Sequence, residues 1–95
     1  MRALSLVILA LLFTSVAHAA GAECYADYKA KKDDPLQLQY GVAKITGNCS
    51  VEAAREELVP RLAVDGWQLL EVMDTFDESG LEGRRASAGD YFLRY

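Results

Sequence analysis

Ser50-Val-Glu-Ala-Ala-Arg-Glu-Glu-Leu-Val-Pro-Arg-Leu-Ala-Val-Asp-Gly-Trp-Gln-Leu-Leu-Glu-Val-Met73 is the stretch that decides the fold. Ser50 has the position and side chain of a helix N-cap, and Glu52, Glu56 and Glu57 place carboxylates in the early turns, where the helix dipole favours them. Val51, Ala54, Leu58 and Leu62 recur at steps of three and four, one apolar stripe of a helix that must be buried. Pro60 falls inside the stripe and predicts a kink or break near Val59. Asp65-Gly66 supplies the stop. Trp67 to Met73 is then apolar on both sides, with only Gln68 and Glu71 polar, which predicts a central strand. A helix followed at once by a strand means a helix packed on a sheet.

Working outward towards the N-terminus, Leu36, Leu38, Tyr40 and Val42 alternate with Gln37, Gln39 and Gly41, a strand whose apolar side is the former set. Ala43 and Ile45 then shift the phase, so Gly41 is read as a bulge or bend, and Gly47-Asn48 as a turn. Residues 23–34 read two ways. Cys24, Ala26, Tyr28 and Ala30 alternate as in a strand, whereas the Ala and Lys content suits a short helix; the helix is the preferred reading. Towards the C-terminus, residues 77–89 are a long connection with one helical turn near Leu81–Ala86, and Asp90–Tyr95 reads as a closing strand. The expectation is an α+β domain: a small three-stranded antiparallel sheet with one main packed helix and a short N-terminal helix, in the order (α)-β-α-β-β.

Residues 1–19 read as a cleavable signal peptide and residues 20–95 as a single compact domain. Arg2 is the positive end, Ala3 to Phe13 the apolar run, and Ala17-His18-Ala19 the small-x-small cleavage signal. The run is too short to span a bilayer, which takes about 20 apolar residues. Glu23 before Cys24 does not fit the small residue that a lipidation site requires there. The reading is periplasmic or secreted, with no stable membrane anchor.

Export changes the chemistry on offer. The sole histidine is His18, inside the leader. The remainder therefore lacks imidazole, which excludes Ser-His-Asp and Cys-His nucleophiles and the usual zinc sets. The chain has 10 basic and 14 acidic residues; Arg2 leaves with the leader, so the rest carries a net charge near −5. An acidic domain of this kind is a poor partner for nucleic acid or anionic membranes. No cofactor is expected. Cys24 and Cys49 are the only cysteines. They are too far apart for a Cys-x-x-Cys redox pair and are expected to form a structural disulfide.

Leu62-Ala-Val-Asp-Gly-Trp-Gln-Leu-Leu-Glu-Val72, with Tyr40-Gly-Val-Ala-Lys-Ile45 before it and Tyr91-Phe-Leu-Arg94 after it, resembles a widespread small domain of unknown function. That family is marked by an acidic-Gly-Trp-x-Leu junction between helix and strand. The resemblance covers about residues 38–95, apart from 77–89, and suggests an exported bacterial branch. It implies a fold and carries no catalytic residue.

Three groups of residues stand out as candidates for function. Gly80, Gly83, Arg84 and Arg85 have the ingredients of an anion-binding turn, flexible backbone donors beside guanidinium groups. Tyr91, Phe92 and Tyr95 make a candidate partner surface, on the argument that a closing strand with few charges invites strand addition or a weak homodimer. Asp74, Asp77, Glu78 and Glu82 gather after the strand, but they lack the alternating ladder of a calcium loop and read as a solvated acidic turn. Trp67 and Phe76 are assigned to the core. The function that follows is a non-catalytic exported binding module for a protein or small-molecule partner. The alternative is a small hydrolase using carboxylates and arginines.

Overall fold

The structure, a computed structural model, describes residues 23–95; the leader and its cleavage site lie outside the described residues. Strand β1 is Cys24–Lys32, β2 is Gln37–Ile45, helix α1 is Val51–Ala63 and β3 is Gln68–Phe76. A 3-10 turn at Glu78–Gly80 leads to helix α2, Glu82–Ala88, and a second 3-10 turn at Gly89–Tyr91 follows. The three strands form one antiparallel sheet in the order β2-β1-β3. The expected three-stranded sheet with one main packed helix is therefore present, with a short second helix.

The order of elements differs from the sequence reading at both ends. Residues 24–32 are a strand, and the central one. Cys24, Ala26, Tyr28 and Ala30 are buried towards α1, while Tyr25 and Asp27 are buried on the other face. Burial on both faces outweighs the modest helix propensity of Ala and Lys. Correspondingly, β3 is an edge strand, and its apolar Leu70 and Met73 are exposed. Asp90–Tyr95 is not a strand: it begins in the 3-10 turn and pairs with the sheet through one parallel bridge, Phe92 to Val42.

The first face of the sheet packs on α1. Ser50 caps the helix, its Oγ accepting from the Ala53 amide at 3.1 Å, and the helix runs unbroken to Ala63 with Pro60 inside it. Ala54, Leu58 and Leu62 meet Tyr28, Ala43, Ile45 and Val72 in the core. Gly66, at φ 84°, turns the chain from α1 into Trp67. The disulfide joins Cys24 to Cys49 with Cα atoms 5.7 Å apart, fastening the start of β1 to the approach to α1.

No bulge occurs at Gly41, since β1 and β2 pair in regular register throughout. Gly41 is required for another reason: the Tyr28 ring lies over it, where a Cβ would collide with the phenol. The bulges lie in β3 instead. The register against β1 slips on either side of the Tyr28–Lys29 pair, leaving Met73 and Leu70 without partners.

Candidate functional site

The second face of the sheet is only partly covered. Helix α2 has seven residues, about 10 Å at the helical rise, whereas the nine-residue strands run about 30 Å. It sits over the Asp27 and Val42 region, where it sets down a buried polar cluster. Arg84 Nε donates to Asp27 Oδ2 at 3.0 Å, and the Tyr40 hydroxyl donates to the same oxygen at 2.8 Å. Arg84 also donates to the Gly80 carbonyl at 2.8 Å and lies 3.8 Å over the Phe76 ring. Burial, followed by the hydrogen bond to Asp27, pushes the Tyr40 phenol up to about 12. The hydrogen bond to Asp27 holds the Arg84 pKa above its ordinary value.

Beyond α2 the face is open. Towards the β1–β2 turn, Lys29, Ala30, Leu38, Gln39, Tyr40 and Leu70 line a groove of about 280 Å³. Its walls are apolar and its cation is Lys29, which is exposed and makes no ion pair or hydrogen bond among the described residues. Leu38 is 70% exposed, Leu36 beside it 64%, and Leu70 48%. The sequence reading sets Leu36, Leu38, Tyr40 and Val42 on the strand's apolar side. In the structure it is the other set, Gln39, Gly41, Ala43 and Ile45, that lies buried towards α1. A second hollow beside the disulfide is lined by Glu23, Cys24, Lys44, Thr46 and Cys49, and there Glu23 already holds Lys44 at 2.6 Å.

The residues expected to form an anion-binding turn are placed differently. Gly80 closes a 3-10 turn and Gly83 lies inside α2. Arg84 points inward onto Asp27, and Arg85 pairs with Glu82 at 3.1 Å while covering the Phe92 ring. The glycine amides and the two guanidiniums do not converge on a shared hollow. Asp77 caps the turn through the Ser79 amide and hydroxyl, and these bonds lower its pKa. Among the described residues, no group of three or more His, Cys, Asp or Glu side chains is arranged to hold a metal, and no helix is long and apolar enough to cross a membrane.

The aromatic residues of the C-terminal segment fold back onto the protein. Tyr91 meets Trp67 edge-on at 5.7 Å, and Tyr95 stacks on Tyr91 at 6.5 Å. The Tyr95 hydroxyl donates to Asp65 at 2.8 Å, and Arg61 donates to the Tyr95 carbonyl at 2.9 Å. Glu57 is the centre of this clamp: it accepts from the amides of Thr46 and Gly47 at 3.0 and 2.6 Å and from Arg61 at 2.9 Å. The groove itself was not anticipated. Its sequence signal on β2 was Leu38, an exposed leucine beside the inward-turned Gln39. Comparison with family models, with curated proteins and with solved structures finds no match for this chain.

Proposed function

We propose that the protein is a non-catalytic exported binding module, and that the open half of its second sheet face receives an apolar segment carrying a carboxylate. The observation that supports this is the groove beside α2, where exposed Leu38 and Leu70 flank the Lys29 ammonium, which has no ion pair among the described residues. Isolated exposed leucines are ordinary, but a row of them lining a concave surface marks an interaction site. The protein is acidic overall, so a free lysine set among apolar walls selects for a negative group through local complementarity. Periplasmic or secreted location is part of the same proposal and rests on the leader, with the disulfide in keeping with an oxidising compartment.

Site-specific photo-crosslinking tests this. A benzophenone side chain at position 38 or 70 should capture a partner in the exporting cell, and one at exposed Glu56 on α1 should not. Lys29→Glu should weaken capture at position 38. Equal labelling from all three positions, or capture indifferent to the charge at 29, would sink the proposal.

A further inference from the structure

The two edges of the sheet are protected very differently. β3 carries Glu71 and Asp74 and is broken by two bulges, both devices that blunt an edge against pairing. β2 has neither. From Leu36 to Ala43 it holds no charged residue, and its register is regular over all nine positions.

In an antiparallel strand, the backbone groups of alternate residues point to opposite edges. The Val42 carbonyl faces outward, because it accepts from the Leu93 amide at 2.8 Å. The Lys44 carbonyl, in the same phase, accepts from Arg61 at 3.0 Å. Leu38 and Tyr40 therefore also turn their amides and carbonyls outward, and among the described residues nothing bonds to them. The free window is Gln37–Gly41, bounded on one side by the turn at 33–36 and on the other by Phe92 and Leu93.

We infer that this window pairs with the same window of a second copy, antiparallel about a two-fold axis at Gln39, joining two sheets into one of six strands. The register follows from the free groups. Pairing Leu38 with the partner's Tyr40, and Tyr40 with the partner's Leu38, uses each outward amide and carbonyl and leaves the Val42–Leu93 bond untouched. Shifting the axis to Tyr40 would require the Val42 carbonyl, which is taken. Shifting it to Leu38 would draw in Leu36, which belongs to the turn.

A second observation, independent of the backbone, points to the same axis. The Gln39 amide nitrogen is buried and has no hydrogen-bond partner, while its Oε1 accepts from the Tyr28 hydroxyl. Buried amide donors are nearly always bonded. The register places Gln39 opposite its own copy, where side chains of a non-hydrogen-bonded pair come closest. Each orphan nitrogen then has a second amide beside it. On the other face, exposed Leu38 gains the partner's Tyr40 as its cross-strand neighbour. The contact is isologous, so it closes as a dimer. With so few main-chain bonds it is weak, and the net charge near −5 per copy opposes it, so added salt should strengthen it by screening the repulsion.

The test uses the exported, disulfide-bonded chain. Sedimentation equilibrium should show a monomer at micromolar concentration rising towards twice that mass at millimolar, and the Leu38 and Tyr40 amides should exchange with solvent more slowly over the same range. Leu38→Pro removes an outward donor that the ladder with β1 does not use, so the variant should stay folded and monomeric. Leu38→Lys, at an exposed position, serves the same end should proline disturb β2. A wild type that remains monomeric at millimolar concentration overturns the inference. So does a dimer that survives both variants, or one whose Leu38 and Tyr40 amides keep their monomer exchange rates. Crosslinks from position 38 to a second copy belong to this contact, and crosslinks to another polypeptide belong to the groove.

Discussion

Arg84 and Asp27 are 57 positions apart in the chain, yet they form the ion pair that fastens α2 to the central strand. The Asp27 side chain is 8% exposed and that of Arg84 27%. Removing the cation leaves a carboxylate in a site where its Oδ1 already has no partner. Breaking one side of such a pair costs more than the pair contributes. Arg84→Ala should therefore destabilise the fold by about 2–4 kcal/mol, somewhat below the fully buried range because Arg84 is partly solvated. Replacing both residues, Asp27→Leu with Arg84→Met, should recover much of the loss. Urea denaturation of the three variants checks both.

Glu57 predicts a dependence on acid. Bonds from the Thr46 amide, then from Gly47, the Thr46 hydroxyl and Arg61, hold its carboxyl below the usual range. A depressed folded pKa means that its stabilisation is fully present above the unfolded carboxyl value, near 4.3, and is lost as pH falls through the folded value. Glu57→Gln should cost about 1–3 kcal/mol at neutral pH, the scale of hydrogen bonds to a charged group. The difference from wild type should shrink below about pH 4. A gap that persists at pH 2 would show that packing, not charge, was lost.

The parts of the fold that were readable in the sequence are those whose cause is local. Ser50, the stripe Ala54–Leu58–Leu62 and the Gly66 stop act within one helix and its ends. The pairing of Cys24 with Cys49 followed from there being no other choice. Residues 24–32 were misread because their helix and strand signals are nearly balanced, and what decides between them is burial on both faces by α1 and α2. That Leu38 lies on the open face was not legible, because alternation shows that two sets of residues face apart, not which set meets the helix. Only the Tyr28–Gly41 approach and the α1 contacts settle that. The groove arises from the shortness of α2 relative to the sheet, a property of tertiary placement that no single segment carries.

Reduction of Cys24–Cys49 should leave the strands able to form but remove a tether across 25 positions. The chain-entropy model puts its contribution at about 3–4 kcal/mol, close to the whole stability of a small domain. Oxidised protein should contain no alkylatable thiol and be two hydrogens lighter than the reduced form. Its melting temperature should fall sharply with a reductant that penetrates the hollow beside Cys49. Two freely alkylated cysteines in exported protein would contradict the pairing.

Trp67 is 5% exposed, enclosed by the core, by the edge of the Tyr91 ring and by the Lys32 ammonium at 4.7 Å. Trp67→Ala should cost about 3–5 kcal/mol through lost burial and a cavity. It should also loosen the C-terminal segment, since Tyr91 packs edge-on against Trp67 and Tyr95 stacks on Tyr91. Limited proteolysis should then cut after Tyr91 before the rest of the chain unfolds. Trp67→Phe, which keeps the edge-on contact, should lose much less.

Gly41 offers the most discriminating test of the packing. Its Cα lies beneath the Tyr28 ring, which is fully buried between β2 and α1, so the ring has no free space in which to withdraw. Burial, with Tyr95 and Tyr91 close by, raises the Tyr28 phenol above its ordinary pKa. Its hydroxyl is committed to Gln39. Gly41→Ala adds one methyl group where the ring must give way, so overpacking should cost about 1–3 kcal/mol despite alanine's better fit to a strand. Tyr28→Leu alone should also destabilise, by leaving a cavity and removing the partner of Gln39 Oε1. Combined, the two changes should cost less than their sum, because each removes the harm that the other does at this contact. Equilibrium denaturation of the four proteins in this double-mutant cycle measures that interaction. Strict additivity would mean that the ring and Gly41 do not touch, and the reading of β2's inward face would fail with it.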